Sequence, residues 1–345
     1  MQNYLALAAA GTPPDVMSLN PPYVEPLRAR GQLADLTPYV RRDARTFQPE
    51  DFAEATLLRT VRGGRWHAVP QNQGLWFLIY NTDAFRRVGA GTPDASWTWD
   101  RLRDAVATRI KPADPNILGM SDPPYELPIR CNGGDILSKD ERRCVLDEPA
   151  AYEAVQWIAD LMLKHQASPT AADTAGQTDR QLFDTGRIVA HIADPGFLST
   201  TQRNKLNFSW DIATLPRGKA ARVSTVKGPS IALAAEGRER DTAWAWLAHY
   251  LGVEMQRYNA VEGKIVSARK SALKAFVELD EGYNKQALLD VAAIARPMPY
   301  IARYDEMDQL ISAGRQAVYR GEQTAKVAMA EVARQVNEIL ATIES

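Results

Sequence analysis

The chain has 345 residues, too many for one small core, so two domains are expected. Apolar residues make up 45% and charged residues 24%, an ordinary globular balance. The formal net charge is −1, with 41 basic and 42 acidic residues, so no global field favours nucleic acid or an acidic membrane, and no nucleic-acid partner is expected.

The first residues, "MQNYLALAAAGTPPDV", lack a charged n-region, and Leu5 to Ala10 is too short for a signal core, so no signal peptide is read here. The stretch reads as the last turns of a helix stopped by Gly11 and followed by Pro13 and Pro14. A domain that opens on the end of its first helix suggests a start downstream of the natural one; a short native helix is the alternative. No window reaches the roughly 18 apolar residues of a membrane span.

A compact strand, "PPDVMSL", then ends at Asn20, and "PPYVEPLRARGQL" is a short helix stopped by Gly31. Asp35 and Thr37 are cap-type residues. "RWHAVP" leads into a polar bend, Gln71-Asn72-Gln73-Gly74, and then an apolar run, Leu75 to Tyr80, which predicts a strand buried on both faces. "WTWDRLRDAVATRI" predicts a helix, "ILGMSD" a strand, and Cys131 to Cys144 a hairpin. Asp147 and Pro149 open a helix to about Gln166, with Ala154, Val155, Ile158 and Met162 on one face. "RIVAHIAD" predicts a strand, and the last third is mainly helical, ending in a stripe of Val332, Val336, Ile339 and Ile343. Strands alternating with helices predict an α/β fold layered around mostly parallel sheets.

Enzyme signatures are absent: there is no phosphate-binding glycine loop, no HExxH and no GxSxG. The four histidines, at 67, 165, 191 and 249, are scattered, and no cysteine/histidine cluster suggests a metal, so neither a metal nor a cofactor is expected. The two cysteines permit a disulfide in an oxidising compartment, or stand as two small apolar residues. What remains is aromatic and amide-rich. Amides both donate and accept hydrogen bonds, and with aromatic faces they suit an uncharged, hydroxyl-rich ligand such as a sugar. The candidates stand at strand ends, where α/β sheets place ligands: Asn20, Gln71, Asn72, Trp76, Tyr125, Asn132, Asp194 and Phe197.

An ordered set of segments, among them "RWHAVP", "LIYNTDAFRRVG", "CNGGDILSKD", "LFDTGRIVAHIADPG", "ATLPRG" and "GPSIALAAEGRERDTAWAWLAHYL", resembles extracellular solute-binding proteins of family 1. These are sugar-binding components of bacterial ABC importers, related to maltose-binding protein. The resemblance spans essentially the whole chain. It implies a two-lobed periplasmic-binding-protein fold of type II, each lobe a mostly parallel sheet flanked by helices, with the N-terminal strand apparently missing. Residues 1 to 83 with 229 to 292 would form one lobe. Residues 84 to 228 with 293 to 345 would form the other, and a hinge would close the lobes over a ligand in the cleft.

Carried over by position, Asn20, Gln71, Asn72 and Trp76 would contact ligand from the first lobe. Tyr125, Asn132, Asp194 and Phe197 would contact it from the second, with Lys227, Gly228 and Tyr304 completing the set. The resemblance further implies a non-enzymatic receptor, a mono- or oligosaccharide ligand, permease subunits as partners, a monomer, and a periplasmic or cell-surface location. Two alternatives stand beside it. One is another cargo, such as a polyol, a cation-bearing solute or a glycerophosphodiester met by Lys227 and Arg303. The other is a carbohydrate-active enzyme using Asp194 with a second carboxylate.

Overall fold

The computed structural model describes residue 7 and residues 10–343, apart from residues 264 and 280. The chain folds into two compact units. Unit 1 comprises Met1–Leu75, Val226–Asp280 and Ala295–Tyr304; unit 2 comprises Trp76–Thr225, Glu281–Ile294 and Asp305–Ser345. The strands in chain order are β1 (Val16–Leu19), β2 (Val61–Arg62), β3 (Arg65–Trp66), β4 (Val69–Pro70), β5 (Phe77–Asn81) and β6 (Gly119–Met120). They continue with β7 (Ile188–Ala193), β8 (Trp210–Ala213), β9 (Ser224–Val226), β10 (Ser230–Leu233) and β11 (Ala295–Pro297). Among the described residues no helix is long and apolar enough to cross a membrane.

The helix end expected over Leu5 to Ala10 lies mostly outside the described residues. Within them, Gly11 has φ +72° and the Thr12 N–H donates to the Leu7 carbonyl at 3.0 Å. That is the closure that ends helices on a left-handed glycine.

Unit 1 is built on the sheet β1-β10-β4. Side chains alternate across a strand, and β10 shows it. Ile231 and Leu233 join a core with Val40, Phe47, Trp244 and Leu247, while Ala232 packs with Met17, Leu19, Val24 and Leu27. Helix Arg240–Tyr250 thus covers one face and helix Pro21–Ala29 the other. Both faces are apolar, which is why the "SIAL" of β10 is buried throughout.

Unit 2 is built on the sheet β6-β7-β5-β8. Every residue of β5 is buried, as the run "FLIYN" predicts. Asn81 ends it by capping the next helix, its Oδ1 accepting from the Ala84 N–H at 2.9 Å. Helix Pro149–Leu163 buries Ala154, Val155 and Ile158 as the spacing predicts, while Met162 stays half-buried. Helix Ala325–Ala341 buries Val332, Val336 and Ile339. It packs so closely on helix Tyr304–Tyr319 that a Cβ at Gly314 would lie 2.4 Å from a Val332 methyl. The hairpin is real over Ile136 to Val145, with Val145 N–H donating to Ile136 O at 3.0 Å. Cys131 lies outside it, at the end of helix Glu126–Cys131, and Cys131 and Cys144 are free and buried.

Two expectations need correction. The sheets are not mostly parallel: β10 runs antiparallel to β1 and β4, β5 runs antiparallel to β7 and β8, and β6–β7 is parallel. The central strand of each sheet follows directly where the chain enters that unit from the other, β5 after residue 75 and β10 after residue 225. It therefore runs against neighbours laid down from within. For the same reason the apolar strand and Trp76 belong to unit 2, because the partners of β5 are there.

Within unit 1 the polar bend is clasped by residues 226–229. Gln71 N–H donates to Pro229 O at 3.0 Å, Gly228 N–H donates to Gln73 O at 3.1 Å, and Leu75 bridges Val226. A Cβ at Gly74, where φ is +56°, would lie 2.3 Å from Gly228 N, and one at Gly228 would lie 2.0 Å from Asn72 O. Gly228→Ala should therefore destabilise unit 1 by roughly 1–3 kcal/mol through overpacking. Gly74→Ala adds roughly 1–2 kcal/mol for the left-handed backbone. Urea unfolding checks this; a loss below about 0.5 kcal/mol for both, the level of a neutral surface change, would show that the clasp carries no strain.

Candidate functional site

In unit 1 the amide row divides by role. Gln73 is buried, and its Nε2 donates to Ser267 O at 3.0 Å. Gln71 Nε2 donates to the Tyr250 hydroxyl at 2.8 Å. These two amides brace the loop. Asn72 is half-buried, paired through its backbone with Ser267, and its side chain abuts Gly228. Around this loop stand Lys227, whose N–H donates to Gln73 O and Gly74 O at 3.2 Å, and Gly228, whose carbonyl accepts from Arg59 Nη1 at 3.0 Å. Tyr300 and Tyr304 form an edge-to-face pair at 4.8 Å in the same unit. Asn20 is exposed at the end of β1; it holds the N-cap position of the next helix without a side-chain capping bond.

Unit 2 gathers a second group at the ends of β6 and β7. Ser121 follows β6, and its hydroxyl lies 2.7 Å from His191 Nδ1 on β7. Burial, then the charge of Arg180, push the His191 pKa down to about 3, so the ring is neutral. It lies tilted against Phe197 with centroids 4.3 Å apart, and the Arg180 guanidinium lies 3.3 Å from the Phe197 centroid. Arg180 also donates to Phe197 O and, at 2.6 Å, to Thr201 Oγ1. Phe197 is therefore a held aromatic, half-buried. Tyr125 is buried, with the Arg315 guanidinium 4.1 Å from its ring centroid. The carboxyls of Asp122 and Asp179 join these aromatics: Asp179 Oδ2 lies 3.8 Å from His191 Nδ1, and Asp122 feels the charge of Arg315. Crowding by protein raises the pKa of both, Asp179 to about 6, with the Asp122 charge as its second cause.

Three sequence-derived candidates behave differently from the expectation. Asp194 caps helix Pro195–Arg203, its Oδ1 accepting from the Phe197 N–H at 2.8 Å, so its first task is to position Phe197. Asn132 ends the helix that Tyr125 begins, and a six-residue helix separates its ends by about 9 Å. Its Nδ2 donates to Ala150 O at 2.8 Å, and it lines a different cavity, of about 540 Å³, with Trp99, Trp157 and Arg217. Trp76 lies in unit 2, half-buried, its backbone tied at both N–H and carbonyl to the Ser224 hydroxyl at 3.2 and 2.9 Å. Sequence reasoning missed Arg59, Asp122, Asp179 and Arg315. A charged residue in a helix or loop looks solvated until the fold shows what surrounds it. Among the described residues no group of three His, Cys, Asp or Glu side chains is placed to hold a metal ion.

The raised Asp179 carries a pH consequence. Its folded value of about 6 exceeds the unfolded 3.8, so the folded state binds more protons between those limits. This contribution to stability is greatest below about 3.8 and is lost as pH rises through about 6. Asp179→Asn should raise the melting temperature at pH 7.5 and flatten the stability change between pH 4 and 6. The side chain is 44% exposed, so solvent screening keeps the effect modest. Calorimetric melts across that range decide it; an unchanged slope in the variant rejects the assignment.

Comparison with known proteins fits this architecture. The family model for bacterial extracellular solute-binding protein matches residues 1–257. Among solved structures, the chain is similar to the ABC substrate-binding protein Lmo0181 of Listeria monocytogenes in complex with cycloalternan. That match has 20% identity and a TM-score of 0.89, over 99% of this chain and 88% of that one. Maltose-bound MalE3 of T. maritima matches at 25% identity and TM-score 0.80, over 98% and 88% of the two chains. UgpB of Mycobacterium tuberculosis in complex with glycerophosphocholine matches at 20% identity and TM-score 0.82, over 99% and 86%. These likenesses give the two-lobed, type II binding-protein fold, and family and neighbours alike are substrate-binding proteins. With three quarters of its length under the family model, this chain belongs to the bacterial extracellular solute-binding proteins.

Proposed function

We propose that the chain is the substrate-binding component of a bacterial ABC importer, that it captures a carbohydrate by hinge closure outside the cytoplasm, and that it delivers it to the permease. The observation that carries this reading is the group at the ends of β6 and β7. There, the aromatic rings of Tyr125 and Phe197 stand beside the carboxyls of Asp122 and Asp179. Carboxyls accept hydroxyl protons, and the two rings, held by Arg180, His191 and Arg315, wall the site with apolar surface. The cycloalternan and maltose complexes of structurally similar proteins support the same class of ligand.

In this reading Asn72, Lys227, Gly228 and Tyr304 supply ligand groups from unit 1, and Trp76, Tyr125 and Phe197 supply them from unit 2. Asn20 adds an uncommitted amide. Gln71 and Asp194 hold their neighbours in place. The protein works as a monomer, in the periplasm or at the cell surface, without catalysis, cofactor or nucleic acid.

Titration of the full chain with a panel of neutral sugars, followed by tryptophan fluorescence and calorimetry, tests the reading. Saturable binding of at least one mono- or oligosaccharide is expected. Trp76→Ala should weaken it by roughly 0.5–1.5 kcal/mol, about 2- to 12-fold in Kd, and Asn72→Ala by a similar amount through lost hydrogen bonds. If no sugar binds, the carbohydrate reading fails and the family assignment stands. If both variants bind as tightly as the parent, their placement in the site is wrong.

A further inference from the structure

Unit 1 buries two arginines, and they are treated differently. Arg269 is fully buried, and each guanidinium nitrogen has a main-chain acceptor: Nε donates to Leu251 O at 2.6 Å, Nη1 to Gln48 O at 3.0 Å and Nη2 to Phe47 O at 2.6 Å. Asp51 lies 3.6 Å away as well. Arg59, at the end of helix Glu54–Thr60, is 8% exposed, and only Nη1 is used, donating to Gly228 O at 3.0 Å. Its Nε and Nη2 are buried with no acceptor, and among the described residues no carboxylate pairs with it. Burial lowers its pKa only to about 10, so it is charged at neutral pH.

An uncompensated buried cation is strongly unfavourable, and folded proteins rarely keep one without use. Which nitrogens are left over matters more. Nε–H and Nη2–H point the same way from one edge of the guanidinium plane. That edge is the fork that meets two oxygens of a carboxylate or phosphate in parallel. Nη1, on the other edge, anchors the group to the Gly228 carbonyl. Gly228 in turn is held against Asn72 by the clasp, so the fork is fixed beside the loop already assigned to ligand.

We propose that Arg59 is a specificity-determining residue of the unit 1 ligand site, and that its Nε/Nη2 edge accepts an oxyanion carried by the ligand, a phosphate ester or a carboxylate. The inference rests on the reading that Asn72, Lys227 and Gly228 bind ligand. It narrows the substrate class from neutral sugars to solutes that carry an oxyanion beside their hydroxyls. The edge is shielded from solvent in this state, so occupancy is coupled to a rearrangement of the packing over it. A neutral sugar gains nothing from the charge.

Matched probes test this at constant ionic strength with the full chain: glucose against glucuronate for a carboxylate, glucose against glucose 6-phosphate for a phosphate ester, and glycerol 3-phosphate alone. The parent should bind at least one oxyanion probe about tenfold or more tightly than glucose, as expected for charge-assisted bonds. Which pair shows the preference identifies the source of the oxyanion. Arg59→Lys keeps the charge but not the fork, and should lose most of the preference. Arg59→Met removes both charge and fork, and should abolish it. Two results overturn the proposal: equal affinity for neutral and charged probes in the parent, or a preference that survives in Arg59→Met. The carbohydrate reading fails separately, when glycerol 3-phosphate binds and no sugar, neutral or charged, does.

Discussion

Gly228 has no space for a side chain, and much of unit 1 follows from that. A Cβ there would overlap the Asn72 carbonyl and side-chain oxygen, at 2.0 and 2.2 Å. Bare backbone meets bare backbone, and four hydrogen bonds join the 71–74 loop to residues 227–229 within 3.0–3.2 Å. The same contact sets the Gly228 carbonyl in front of Arg59. It also fixes the chain just before it leaves unit 1 at residue 75 and just after it returns at residue 226. Loop, buried cation and crossings are thus one mechanical element, and a methyl group in the wrong place disturbs all of them.

The polar bend before an apolar strand has a two-part explanation. Gln71 and Gln73 use their amides internally, one on the Tyr250 hydroxyl and one on the Ser267 carbonyl. Each such bond contributes about 1 kcal/mol net, but leaving the buried partner unmet costs more. An apolar residue at 73 would leave the Ser267 carbonyl without its donor. The amides of Gln71 and Gln73 therefore hold the loop in one shape, and Asn72 between them is half-buried like Gln71. A row of amides signals a rigid polar loop first, and a binding surface only at the position the other two support.

Much of the fold was legible in the sequence because periodicity reports burial. The unbroken "FLIYN" and the stripe of Val332, Val336 and Ile339 each follow from two faces or one face being dry. Strand direction was not legible. An apolar run reads the same either way, and only the point of entry into the unit makes β5 and β10 antiparallel to their neighbours. The site was legible in part. Aromatics at strand ends led to Tyr125 and Phe197, but a list of strand ends cannot say that Asn132 lies a helix length from Tyr125, or that Asp194 serves a cap. Arg59 was invisible, because "EATLLRT" is an ordinary amphipathic turn until the fold shows its guanidinium short of acceptors.

The charged groups of the two units differ in kind. In unit 2 Arg180 has Asp184 at 3.2 Å and the Phe197 face, while Arg315 has the Tyr125 face with Asp122 in range but a buried Nε without an acceptor. The carboxyls are in excess there, and crowding holds Asp179 near the pH at which it changes from acceptor to donor. Such a group serves a hydroxyl in either state, at little cost when the ligand is uncharged. In unit 1 the position is reversed, with a cation that has one acceptor where it needs three. In the proposed reading, hydroxyls fall to the unit 2 carboxyls and to Asn72 in unit 1, whereas an oxyanion falls to Arg59 alone.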